Sequence, residues 1–176
     1  EELLIIEKET DFFTIFQTIK GIYKTIIINR LNDKPDFNIE NKLIKTISSI
    51  IKNKKEINLS LLSEILSIPT FSEIEAELNN IDPPKIYKTI DELNYLFGTK
   101  LKYELSNKLI DIEKSINKAW PKGRDERKLI ETIWKLLLNS NDQEIKDKII
   151  SHVNGNSMTL AKAALNAFIR IDCPER

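Results

Sequence analysis

The chain has 176 residues and a mass of 20.4 kDa, enough for one domain that buries about 70% of its unfolded surface. Lys and Arg total 27 against 27 Asp and Glu, whereas a duplex-binding domain needs a basic excess for phosphate contacts, so no nucleic-acid partner is expected. Hydrophobic residues make up 41% and charged residues 31%, a globular rather than a disordered balance.

Apolar runs such as Ile26 to Ile28 fall far short of the ~20 residues that a membrane-spanning helix needs. No basic segment precedes an apolar core in the manner of a signal peptide, and no membrane partner is expected. The single cysteine, Cys173, cannot form an internal disulfide, which fits a reducing compartment and a cytoplasmic location. Ile is 30, Lys 22 and Asn 16, against Ala 6 and Arg 5, a bias that suits AT-rich codons rather than a function. A chain that opens on Glu1 and stops at Arg176 is expected to be a fragment of something longer.

In chain order, the pattern is helical throughout. Phe12, Phe16, Ile19, Tyr23 and Ile26 recur at i+3/i+4 spacing and predict a helix from about Asp11 to Leu31, widened by Ile15, Ile22 and Ile27. Asn32-Asp33-Lys34-Pro35 breaks it. Ile39, Leu43, Ile47 and Ile50 carry a second helix that ends near Lys52-Asn53-Lys54-Lys55, a cationic run that suits exposed carbonyls or a solvated face. A third, short helix covers about Leu59 to Leu66. Thr70-Phe71-Ser72-Glu73 reads as a capping box, the hydroxyl accepting the Glu73 amide while the carboxylate reaches back. A short helix to about Leu78 follows.

Asp82-Pro83-Pro84 is a strong helix start, because Asp caps and proline's missing N–H costs nothing in the first turn. Ile86, Ile90, Leu93, Phe97, Leu101 and Leu105 then form a long stripe, in which Gly98 costs about 1 kcal/mol relative to alanine. The stripe continues through Leu109, Ile112 and Ile116 to Trp120, with room for a bend, until Pro121-Lys122-Gly123. Three helices close the chain. The first carries Leu129, Ile133, Leu136 and Leu137. The second is capped by Asn141, with Glu144 three residues on, and carries Ile145, Ile149 and Val153. The last starts near Ser157, carries Ala161, Ala164, Leu165 and Phe168, and stops before Pro174. Eight or nine helices of this kind predict an all-α fold, a bundle or an irregular α-solenoid of stacked helix pairs, in a single helical domain over residues 1–176. No exact repeat is present.

Chemistry is scarce. No phosphate-binding loop, dinucleotide fingerprint, nucleophile elbow or paired-cysteine motif occurs. His152 is the one histidine, so a zinc site made by this chain would need carboxylates or Cys173 to complete it; a surface or capping role is the simpler reading. Cys173 has no histidine placed to activate it. Trp120 and Trp134 read as packing residues. Glu73, Glu75 and Glu77 lie at i, i+2 spacing and point to different faces, so they form no acid–base pair. No catalytic, cofactor-binding or metal-binding residue is assigned.

Four segments go further. Ile81-Asp82-Pro83-Pro84-Lys85-Ile86-Tyr87-Lys88-Thr89-Ile90-Asp91-Glu92-Leu93 resembles the "IDP-x-x-I-x-x-A-R-x-x-L" helix of bacterial aminopeptidase N, a zinc metallo-aminopeptidase. Leu66 to Ile74 is similar to that family's "LxLPSESEI" stretch. Ser157 to Leu165 with Asp172-Cys173-Pro174-Glu175-Arg176 resembles "NMTDxxAAL…DCPER", and Glu9 to Gln17 resembles "DSDPFNRWE". All four keep the family's order. Thr14, Ile15 and Phe16 stand where the pattern has Asn-Arg-Trp, and Leu160 where it has aspartate. The resemblance implies a truncated C-terminal helical superhelix that closes a chamber against the catalytic domain of the same polypeptide. Zinc, its ligands and the peptide substrates then belong to the parent enzyme, which uses a zinc-activated water with a glutamate base. Whether the chain counts as an enzyme is open on this reading, because it carries no zinc motif and should be inactive alone. Arg127, in Arg127-Lys128-Leu129-Ile130-Glu131, aligns with a basic position of the family. It is the one candidate for a chamber or interdomain contact, with a surface salt bridge as its other reading. A helical-repeat scaffold that binds a protein partner is the alternative function. A truncated superhelix should also expose apolar surface around Ala164, Phe168 and Ile171.

Overall fold

A computed structural model describes residues 12–52, 58–75, 78, 81–116, 123–140 and 142–172. Within them the chain is all-α and without strands. The helices are α1 (Phe12–Leu31), α2 (Phe37–Lys52), α3 (Leu59–Leu66), α4 (Phe71–Ile74), α5 (Pro83–Lys100), α6 (Lys102–Ile116), α7 (Gly123–Asn139), α8 (Gln143–Val153) and α9 (Met158–Asp172). Glu77, Trp120, Asn141, Cys173, the cations after Lys52 and the Ile171 side chain lie outside the described residues.

Local chemistry sets the boundaries. Asn58 caps α3, its side-chain oxygen accepting the Ser60 and Leu61 amides at 2.9 and 3.3 Å, which satisfies donors that the first turn leaves open. At α4 the Glu73 carboxylate accepts from the Thr70 amide at 2.7 Å and from its hydroxyl at 2.9 Å. Asp82 occupies the N-cap of α5 without a side-chain cap bond. Pro83 and Pro84 bring no N–H groups, and the Lys85 amide donates to the Asp82 backbone carbonyl at 3.0 Å. The cap of α8 is Asp142, which accepts from Glu144 and Ile145 at 2.9 and 3.3 Å, one residue later than the sequence pattern places it. The ionised carboxylate also suits the positive end of the helix. The predicted stripe from Ile86 to Ile116 is two helices, broken at Leu101, whose φ of −99° and ψ of 6° leave the helical range.

Helices stack in pairs. α1 and α2 touch each other; α1 packs on α5 and α2 on α6. α5 and α6 both meet α7, and α8 and α9 cover another side of it. α7 also receives α3, so five helices surround it. Its Leu129, Ile130, Ile133 and Trp134 are fully buried, and Leu136 and Leu137 nearly so. Tyr23 of α1 meets Phe97 of α5 in a tilted pair, 5.3 Å between centroids.

Close approach to α7 relies on small residues. A β-carbon at Gly98 would fall on the Leu136 carbonyl, with the carbonyl carbon 2.9 Å away. The helix propensity that makes glycine costly here is therefore outweighed, because alanine does not fit. From α9, Ala163, Ala164 and Ala167 are fully buried. At Ala164 the expectation of exposed apolar surface is overturned, since the alanine face is what α9 turns toward the core. Phe168 is half-buried against the same core. Apolar exposure on α9 falls instead on Met158 and Leu165.

One buried charge is held within the fold. Glu40 is 2% exposed and accepts a bidentate pair from Arg30, Nε–Oε1 2.7 Å and Nη2–Oε2 2.9 Å. Arg30 also reaches Glu92 at 3.4 Å, tying α1, α2 and α5 together.

Two substitution sets test this packing. A methyl group added at Gly21 would meet nothing within 4 Å, so Gly21→Ala should stabilise by about 0.5–1 kcal/mol, whereas Gly98→Ala should destabilise by about 1–3 kcal/mol, both read by denaturant unfolding. Arg30→Ala should cost about 3–5 kcal/mol by stranding Glu40, and the double change Arg30→Met with Glu40→Leu should recover most of it. Equal effects of the single and double changes would contradict the buried pair.

Candidate functional site

Arg127, the one residue singled out from sequence, sits on α7 with its side chain 39% exposed. Its Nε lies 3.7 Å from Glu131 Oε1 one turn on, and the same oxygen accepts from Asn166 of α9 at 2.8 Å. The salt-bridge reading of Arg127 is therefore realised within the chain. The guanidinium stays open toward anything that covers this side of α7.

His152, in the last turn of α8, stacks on Trp134 with 5.3 Å between ring centroids and 24° between planes. Its Nε2 is 3.4 Å from Glu113 Oε1 on α6, and Lys148 approaches the other Glu113 oxygen at 3.8 Å. Glu113 Oε1, His152 Nε2 and Trp134 Nε1 are all buried without a hydrogen bond. This is a knot of half-satisfied polar groups among three helices. It does not fit a metal: two donors meet there, and the next neighbour is a cation that would repel one. Among the described residues no group of three His, Cys, Asp or Glu side chains could hold a metal ion. Nor does any helix of the described residues have the length and apolarity to cross a membrane.

Sequence reasoning missed two other polar groupings. Lys20 of α1 is drawn inward, where burial pushes its ammonium below the ordinary lysine range. It donates to the Ser67 carbonyl at 2.7 Å and lies 5.8 Å from the Phe16 ring centroid. Ser63 and Thr132 share a 2.8 Å hydroxyl contact between α3 and α7. Neither group is announced by spacing, because each forms from residues far apart in the chain.

The third grouping is a depression of about 460 Å³ lined by Ile44, Lys45, Ser48, Ser49, Lys52 and Lys100. It opens where α2 packs beside α6 and the end of α5. At its rim Glu104 of α6 accepts from Ser48 at 2.9 Å and pairs with Lys52 at 3.0 Å. Burial alone would raise the Glu104 carboxyl, but these hydrogen bonds and the Lys52 charge hold it below the ordinary glutamate range. The arrangement can attract an anion. Among the described residues it supplies no activated nucleophile.

Acid should find these carboxylates. Glu73 and Asp142 are also held low, Glu73 by Thr70 against the opposing effect of burial and Asp142 chiefly by Lys102. A group depressed in the folded state contributes its full stabilisation above its unfolded pKa, about 4.3 for Glu and 3.9 for Asp. That contribution is lost as pH falls through the folded value. Stability is therefore expected to hold from pH 7 to about 5 and to fall below about pH 4, with Glu104→Gln showing a shallower acid limb in thermal melts.

The ARM-repeat family described as "Domain of unknown function (DUF3458_C) ARM repeats" matches residues 1–176. No curated protein matches the chain in sequence. Among solved structures, the fold is similar to that of Legionella pneumophila aminopeptidase A, solved in complex with aspartic acid. The TM-score is 0.76 and the identity 18%, over 98% of this chain and 21% of that one. The chain thus spans about a fifth of that protein's length. With its full length matched and its helices stacked as described, the chain belongs to the DUF3458_C ARM-repeat family, a C-terminal helical domain of aminopeptidase N-type proteins.

Proposed function

We propose that this chain is the non-catalytic C-terminal helical domain of a zinc-dependent aminopeptidase N that removes N-terminal amino acids from peptides. The observation that carries this reading is the family match over every residue, 1–176, supported by the shared fold with an aminopeptidase that is about five times longer. On this reading the domain is a fragment of a larger cytoplasmic enzyme. Its partner is the catalytic domain of the same polypeptide, and the peptide substrates and the zinc belong to that domain. The helical wall would shape the chamber through which peptides reach the metal, contributing form rather than chemistry. Arg127, exposed on α7, is the residue we assign to a contact with the chamber or the catalytic domain. A guanidinium already oriented by Glu131 loses little entropy in accepting a second carboxylate.

The reading is tested on the whole polypeptide and on the 176-residue chain side by side. The whole polypeptide should bind one zinc per molecule and release the chromophore from an aminoacyl reporter, and a chelator should abolish that activity. The chain alone should do neither. Turnover by the chain alone, or the lack of an H-E-x-x-H motif upstream of Glu1, would overturn it. Arg127→Ala in the whole enzyme should alter KM for peptides by about threefold or more while leaving zinc content unchanged, in line with the loss of one exposed charge contact.

A further inference from the structure

We propose that the depression between α2 and the α5–α6 corner is a binding site for a soluble, hydrated small anion with two or more negative charges, for which inorganic pyrophosphate serves as the probe. The inference does not depend on the aminopeptidase reading. It rests first on charge. The chain as a whole is neutral, yet three of the six lining residues are lysines. Among the described residues only Lys52 of the three has a carboxylate partner, Glu104. Lys45 and Lys100 face the same space from different helices without one. All three are exposed, so solvent screens their repulsion, and together they present a local positive charge that attracts an anion.

Size and lining narrow the ligand. A volume of about 460 Å³ leaves room for a small molecule, and the hollow is open rather than enclosed, which suits a hydrated ligand. Ile44 is the one apolar side chain in the wall, which disfavours an apolar ligand. The cations are ammonium groups throughout, compact and strongly hydrated charges rather than planar forks. Ammonium groups act as point charges that follow the oxygens of an anion, and the Ser49 hydroxyl adds a donor from α2. Ser48 is already committed to Glu104 at 2.9 Å. Glu104 then acts as an internal competitor. It holds Lys52 while the site is empty and must share that cation with any ligand that enters.

This competition gives the test two variants of opposite sign. Inorganic pyrophosphate is titrated by calorimetry into the 176-residue chain, at low salt and at 0.5 M salt, a range over which exposed charges become strongly screened. One-site saturable binding is expected at low salt and its loss at high salt. K45A/K100A should weaken it by about tenfold, the effect of deleting two exposed charge contacts. E104Q should tighten it by about threefold by releasing Lys52. Both substitutions lie on exposed or hydrogen-bonded helix positions, and a circular dichroism melt checks that each variant folds. Absence of saturable binding at millimolar pyrophosphate overturns the proposal. So does binding that K45A/K100A leaves unchanged, or that E104Q fails to tighten. A single-stranded oligonucleotide that competes at lower concentration per phosphate than pyrophosphate would overturn the small-molecule assignment.

Discussion

The arrangement of this domain depends on how near two backbones can come where α5 crosses α7. At Gly98 the space that a side chain would occupy is taken by the Leu136 carbonyl. That proximity lets α5 lie close enough to bury Phe97 and Leu93 almost completely, and through α5 it fixes the position of α1 and the Tyr23–Phe97 pair. The same logic recurs around α7. Ser63 faces it from α3 at the Thr132 hydroxyl, and α9 presents alanines. α7 itself contributes Trp134, the largest fully buried side chain. Small residues at these close contacts, with large apolar side chains of α3, α5 and α7 filling the space between, allow five helices to share one neighbour.

Ion pairs mark the seams of this packing rather than drive it. Lys52 to Glu104 joins α2 and α6; Lys128 to Glu64 joins α7 and α3; Lys102 reaches the Asp142 cap of α8; and Lys85 meets Asp33 after α1. Most of these side chains are a third or more exposed on at least one partner, and such pairs contribute about 0–1 kcal/mol each. Their effect is on register: a helix that slid by one residue would lose its partner. Glu40 differs because its carboxylate is desolvated, so removing Arg30 would leave a charge with no solvent to accept it. The apolar stripe supplies the stabilisation, and the Arg30–Glu40–Glu92 contact links α1, α2 and α5.

The helices are legible in the sequence because their apolar residues recur at the 3.6-residue period, and the pattern delimits α3 in particular to within a residue. What local pattern cannot reveal is anything settled by a residue distant in the chain. Gly98 looks like a weak point because helix propensity is a local quantity, while the reason for glycine is a carbonyl on α7. Ala164 looks exposable when truncation is reasoned from the chain end, while α7 and α8 cover α9 from within. The cap of α8 shifts by one position because Asn141 and Asp142 are both good N-caps, and the choice rests on which oxygen reaches the Glu144 and Ile145 amides. Arg127 is reached by family likeness rather than by geometry. Lys45 and Lys100 carry no signal at all, since neither belongs to a motif and only the packing of α2 on α6, which follows directly on the end of α5, brings them to one depression.

The low identity to the Legionella fold bears on how the surface should be read. At 18% identity the two chains still superpose with a TM-score of 0.76, so the fold is specified by the pattern and volume of buried residues more than by their identities. Exposed side chains are then free of that requirement, and surface substitutions away from caps and pairs usually change stability by less than about 0.5 kcal/mol. Lys45 and Lys100 fall in this group: they pair with no carboxylate among the described residues and bury nothing in the core. Folding gives no reason for cations at those two places. A uniformly dispersed set of charges would serve solubility equally well. Three lysines gathered on one depression of a neutral chain offer an anion a place, and the pair between Lys52 and Glu104 sets how much of that charge is left to meet it.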